Sequence, residues 1–135
     1  MSANSFPGEQ LASLYRIFGQ PVRIQILLVI GLGEACVCHL EAYLGIRQAS
    51  ISQHLMVLRD AGLVTTSRNG RNIFYRLTRP ELLEVIWQLA PLAGLSAAAL
   101  NEAATTPVTL CPCPYCNPEQ DESISCSGAR TGYKK

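Results

Sequence analysis

The chain has 135 residues, 48% of them hydrophobic, and a formal net charge of +1. That length holds one compact domain with tails, not two domains each with its own core. So high an apolar content points to a membrane segment or to a surface buried against another chain. The first is excluded, because Arg23 and Gln25 interrupt the first apolar stretch and Glu84 and Gln88 the last, leaving no run near the roughly 20 apolar residues a spanning helix needs.

Residues 1–8 read as a flexible N-terminus. The start of the chain is polar and no short hydrophobic run with a small-residue cleavage site follows, so a cytoplasmic protein without membrane contact is expected. Residues 9–18 carry Leu11, Leu14, Tyr15 and Phe18 at helical spacing, and residues 21–32 carry Val22, Ile24, Leu27, Leu28 and Ile30. Gly19-Gln20-Pro21 separates the two helices, with Pro21 suited to the first turn of the second, and Gly31 and Gly33 end it. A third, short helix fits Cys36 to Leu44, closed by Gly45. In the next, Ala49 to Ala61, the apolar residues Ile51, Leu55 and Leu58 recur at i, i+4 and i+7.

The period then changes. Leu63 to Ser67 and Ile73 to Leu77 are rich in β-branched and aromatic residues and flank Arg68-Asn69-Gly70-Arg71-Asn72, where Asn-Gly signals a hairpin. A helical pattern returns from Pro80 to about Leu100, apolar over more than one face, which implies burial against a partner subunit; Pro91 is expected to kink it. Beyond Thr105 the composition is that of an irregular tail.

This order describes a mainly α fold with a small β-hairpin, a winged helix-turn-helix acting as a homodimer. Residues 9–102 form the DNA-binding and dimerisation domain and residues 103–135 a Cys-rich C-terminal tail. In such a fold the second helix of the motif enters the major groove and the wing reaches phosphates or the minor groove. The residues assigned to operator double-stranded DNA are therefore Arg47, Gln48, Ser50, Ser52, Gln53 and His54, with Arg68 and Arg71 on the wing. Charge supports this, because the segment from Arg47 to Arg79 holds six arginines against Asp60 alone and the remainder of the chain is net acidic. The structural alternative is a helical pair with a solvated polar face.

Six cysteines in a reducing compartment are a poor disulfide framework, and their clustering favours metal or redox chemistry. The chain resembles the ArsR/SmtB family of metal-responsive winged-helix repressors, thiolate-site branch, over roughly residues 9–100. The resemblance rests on Glu34-Ala35-Cys36-Val37-Cys38-His39-Leu40, on Gln48-Ala49-Ser50-Ile51-Ser52-Gln53-His54-Leu55 followed by Leu58-Arg59-Asp60-Ala61-Gly62-Leu63-Val64, and on Phe74-Tyr75-Arg76-Leu77. It implies a homodimer built on the first and last helices, bound to an operator without metal and released by metal. It also implies that Cys36 and Cys38 supply thiolates to an ion such as Cd(II), Pb(II), Zn(II) or As(III).

Soft ions prefer thiolates, and ligation keeps the sulfur ionised. Two ligands are too few. Glu41 stands where an arsenic-type pattern would carry a further cysteine, and residues 1–35 contain none. The expectation is that two of Cys111, Cys113 and Cys116, from the other subunit, complete a three- or four-sulfur site with Cys36 and Cys38, Pro112 and Pro114 stiffening that loop. Two alternatives remain open: a separate structural zinc site formed by Cys111, Cys113, Cys116 and Cys126, and a thiol-based redox-sensing repressor on the same fold. Cys126 reads as a spare thiol and His39 is unassigned. Residues 81–100 contain no His or Asp, which argues against a zinc site on the last helix, and no catalytic motif suggests an enzyme.

Overall fold

The computed structural model describes residues 6–69 and 72–105. The first helix, α1, spans Pro7–Phe18. It starts two residues before the apolar pattern because Pro7, at the first helical position, is already set for helical φ and needs no intrahelical N–H partner. Its Leu14, Ile17 and Phe18 pack on the core, while Leu11 and Tyr15 are half exposed.

Helix α2, Pro21–Ile30, is the centre of the fold, with Ile26, Leu27, Leu28 and Ile30 buried. Residues apolar on all sides at its C-terminal end are explained by what surrounds it: α4 and the sheet on one side, the last helix on the other. Helix α3, Val37–Leu44, ends at Gly45, whose N–H donates to the Glu41 carbonyl at 2.8 Å with φ at +69°. Glycine adopts this left-handed geometry without a Cβ penalty, which allows the sharp turn into α4. Helix α4, Gln48–Asp60, buries Ile51, Leu55 and Leu58 as its periodicity predicts. Each such side chain contributes about 1.5–3 kcal/mol of burial.

Three strands form one antiparallel sheet in the order β1-β3-β2: β1 Ala35–Cys36, β2 Val64–Asn69 and β3 Asn72–Leu77. In the wing hairpin Asn69 pairs with Asn72, so β2 and β3 extend into the five residues, Arg68 to Asn72, that the sequence assigns to the connection. Strand β1, just two residues long, was not expected; it pairs Ala35 with Tyr75 and Cys36 with Phe74.

The long final helix of the sequence reading is two helices. Helix α5, Glu81–Leu89, runs into a short 3-10 turn, Ala90–Ala93, and then α6, Ala97–Thr105. Pro91 sits in the first turn of the 3-10 segment, which tightens the chain instead of kinking a continuous helix. Gly94, at φ +78°, closes that turn, and the Ser96 hydroxyl accepts the Ala99 N–H to start α6. Leu100 of α6 then folds back on Leu28, in a second small core with Ala90, Ile24, Ile86 and Trp87. Part of the apolar excess assigned to a partner subunit is thus buried within the chain. Among the described residues no helix is long and apolar enough to cross a membrane.

Candidate nucleic-acid interface and thiol site

With Ile51, Leu55 and Leu58 turned to the core, α4 leaves Ser50 and Gln53 exposed and Ser52 and His54 half buried, with Arg47 exposed at its N-cap. These are the polar residues expected at the DNA surface. Gln48 differs from them: its Oε1 is buried without a hydrogen-bond partner among the described residues, beside a hollow of about 400 Å³ that it lines with Glu41, Arg47, Ala49 and Ser52.

His54 is also more than a surface residue. Its Nδ1 accepts from Arg23 Nε of α2 at 3.2 Å, and Arg23 Nη1 donates to the Ile17 carbonyl in the last turn of α1 at 3.4 Å. An acceptor Nδ1 requires the neutral ring with its proton on Nε2. Partial burial, and secondly the charge of Arg23, lower the His54 pKa below its usual 6.5.

On the wing, Arg68 is exposed; Arg71 lies outside the described residues. Arg76 pairs with Glu34 at 4.0 Å, and the same Glu34 oxygen accepts from Ser67 Oγ of β2 at 3.4 Å. Arg79 pairs with Glu81 at 3.9 Å. Arg47, Arg59 and Arg68 make no ion pair among the described residues, so three of the segment's arginines keep their charge available to an anionic partner. Sequence reasoning missed Glu34 and Arg23. Each acts through a partner distant in sequence, which no local period reveals.

The thiols lie at a joint. Cys36 belongs to β1 and is also the N-cap of α3, its Sγ accepting the His39 N–H at 3.4 Å. Cys38 sits in the first turn of α3. Both are buried and neither is in a disulfide. Among the described residues no three His, Cys, Asp or Glu side chains are grouped to hold a metal ion. The donor chemistry suits a soft ion, but the pair needs further ligands. Cys111, Cys113 and Cys116, expected to provide them, lie outside the described residues, as does Cys126.

The model of the family "Bacterial regulatory protein, arsR family" matches residues 20–66. The chain is 39% identical over 77 residues to the biofilm growth-associated repressor of Xylella fastidiosa, spanning 57% of this chain and 68% of that one. It belongs to the ArsR family. Another relative, the arsenical resistance operon repressor of Staphylococcus xylosus, is 34% identical over 80 residues, 59% of this chain and 76% of that one. The crystal structure of the transcriptional repressor BigR from Xylella fastidiosa superposes with a TM-score of 0.58 at 36% identity, covering 63% of this chain and 87% of that one. An ArsR-family protein is a winged helix-turn-helix DNA-binding regulator and not an enzyme. The matched segment runs from α2 into β2 and so includes Cys36, Cys38 and every α4 residue assigned to DNA, whereas Arg68, Arg71 and the tail cysteines fall beyond it.

Proposed function

We propose that this ArsR-family chain is a transcriptional repressor that binds operator double-stranded DNA as a homodimer and is released by a thiophilic ion. Cys36 and Cys38 provide two of its thiolates, and two of Cys111, Cys113 and Cys116 provide the others, from the partner subunit. The candidate ions are Cd(II), Pb(II), Zn(II) and As(III). Arg47, Gln48, Ser50, Ser52, Gln53 and His54 face the operator from α4, and Arg68 and Arg71 from the wing.

One observation carries the reading: Cys36 is shared by the two parts of the fold that would touch DNA. As N-cap it fixes the start of α3, the first helix of the helix-turn-helix; as a residue of β1 it is paired with β3 of the wing. Drawing its sulfur toward further ligands moves both. Because a dimer must seat two recognition helices about one DNA turn apart, a small reorientation costs contacts in both half-sites. A coupling of about 1–3 kcal/mol would suffice for release, and by reciprocity DNA would weaken ion binding by the same factor.

Homodimerisation is supported by the apolar surface the single chain leaves open. Leu11 and Tyr15 of α1 are 50% and 55% exposed, Leu89 of α5 45% and Leu92 85%. Scattered apolar residues need no explanation, but these are concentrated on the first helix and the α5 region. The arsenical resistance function in one relative's name is consistent with a soft effector.

Titrating reduced protein with Cd(II), Pb(II) or arsenite while following ultraviolet thiolate charge-transfer bands and operator anisotropy together tests the proposal. Bands from three or four thiolates with parallel loss of DNA are expected. If operator occupancy ignores every ion but falls on mild oxidation of metal-free protein, the redox-sensing alternative replaces it.

A further inference from the structure

We propose that Arg23 is a positioning residue for operator binding, bridging the last turn of α1 to the recognition helix through His54 and so fixing how far α4 rolls on the core. This rests on the reading that α4 enters the groove.

Arg23 is the only charged residue in α2, a helix otherwise devoted to the core. Its planar fork makes two bonds in different directions, one to His54 Nδ1 and one to the Ile17 carbonyl. The second satisfies a helix C-terminal carbonyl that has no partner of its own kind in α1. A lysine, with a single nitrogen on a flexible stem, does not reproduce that bridge.

Apolar packing alone sets the distance of α4 from the core but resists roll about its axis weakly. His54 lies at the border of the helix, three residues after buried Ile51 and next to buried Leu55, with exposed Gln53 on its other side. A tether there opposes roll with the greatest leverage, and roll is the motion that misdirects Ser50 and Gln53. The other end of the bridge lies on α1, which presents exposed Leu11 and Tyr15, so the orientation of α4 is tied to a helix with a surface open to a partner.

The elements that pack most on α4 are α2, α3 and β2. Helix α3 brings Cys38, His39, Glu41 and Tyr43, β2 brings Arg68, and α4 itself carries Arg59 and Asp60 with Arg47 at its N-cap; Arg23 is the charged group that acts on His54. Protonated His54 has no Nδ1 lone pair to accept with and repels Arg23, so the bridge exists only with the neutral ring.

The test uses the full chain and a duplex that the wild-type protein selects from a randomised pool, with affinity read by anisotropy at fixed salt. Arg23→Ala and His54→Ala are each expected to weaken binding about three- to tenfold, and the double variant no more than the worse single, as for one shared interaction. His54→Asn places Oδ1 where Nδ1 was. Whatever affinity it loses with the imidazole's own operator contact, adding Arg23→Ala to His54→Asn should weaken binding by the same factor as Arg23→Ala does in wild type, and His54→Asn should abolish the loss of affinity expected of wild type as pH falls through the lowered folded pKa of His54. Arg23→Lys should not restore binding. Additive singles, unchanged affinity in Arg23→Ala, or a His54→Asn pH profile that follows wild type overturns the proposal, and the last arm decides the matter even if Arg23→Ala fails to fold. If wild type selects no duplex at all, the operator reading itself has failed and the proposal falls with it; a selected duplex bound less tightly by Gln53→Ala shows that reading sound, whatever the Arg23 variants do.

Discussion

Cys36 and Phe74 are Cα partners across the β1–β3 ladder, and both are buried, at 0% and 1% exposure. The thiol that caps the first helix of the motif is therefore also held against the middle of the wing. Substitution at 36 can separate these roles. Serine keeps a side-chain acceptor for the His39 N–H, whereas alanine does not, and loss of an N-cap costs about 0.5–2 kcal/mol. Cys36→Ser should retain most of its stability and its operator binding while losing the response to Cd(II); Cys36→Ala should lose that response and also unfold at lower urea. Equal stability for the two would show that the sulfur does not act as a cap.

Two of the arginines lacking an ion pair among the described residues, Arg47 and Arg68, are expected to meet phosphates, and Gln53 a base edge. Removing a phosphate contact lowers affinity for all sequences and reduces the slope of log K against log salt by about 0.9. In a homodimer Arg47→Ala and Arg68→Ala each remove one such contact per half-site, so each should lower the slope by about 1.8. Gln53→Ala should instead leave the slope in place and relax discrimination at one base pair by about 1–3 kcal/mol. Competition against mismatched duplexes at two salt concentrations distinguishes the patterns. A Gln53 variant whose loss is uniform across sequences would remove that residue from the reading surface.

The elements with many repeats of a period were legible in the sequence. Ile51, Leu55 and Leu58 define the buried side of α4 in the structure as in the spacing, and the β-branched runs around residues 64–77 are the wing. What the sequence did not show depends on single distant contacts. Strand β1 has two residues, too few to display alternation, and exists because β3 offers an edge. The division of α5 from α6 was hidden because the residues from Ala90 to Leu100 are apolar enough to extend a helix on paper. Gly94 and the Ser96 cap end it in space. His54 was read as a surface residue, since nothing near it in sequence points to Arg23, 31 positions away.

The apolar residues left open on α1 and near α5 predict how the proposed dimer can be broken. Tyr15→Glu or Leu89→Glu places a carboxylate in a surface that would be desolvated on association, which costs several kcal/mol unless the charge is paired. Because both side chains are about half exposed in the single chain, the fold itself should change by less than about 0.5 kcal/mol. Sedimentation should show monomers at concentrations where wild type is dimeric, with far-ultraviolet dichroism unchanged and operator binding lost. Wild-type sedimentation retained in both variants would place the interface elsewhere.

Stability should itself depend on pH through His54. The unfolded chain takes up the imidazole proton near the usual 6.5, and the folded chain at a lower pH, first because the ring is partly buried and second because Arg23 is beside it. Between those two values the unfolded state binds more protons, so unfolding becomes harder as pH rises. The contribution is fully present above 6.5 and is lost as pH falls through the folded value. Urea midpoints measured above and below 6.5 should therefore drop on the acid side for wild type. In His54→Asn, which keeps an acceptor for Arg23 but does not titrate, the drop should be smaller by the His54 share. Groups common to both proteins cancel in the comparison, so the difference between the two proteins is the informative quantity. Identical acid-side losses would mean that the Arg23 bond does not discriminate between the protonation states of His54.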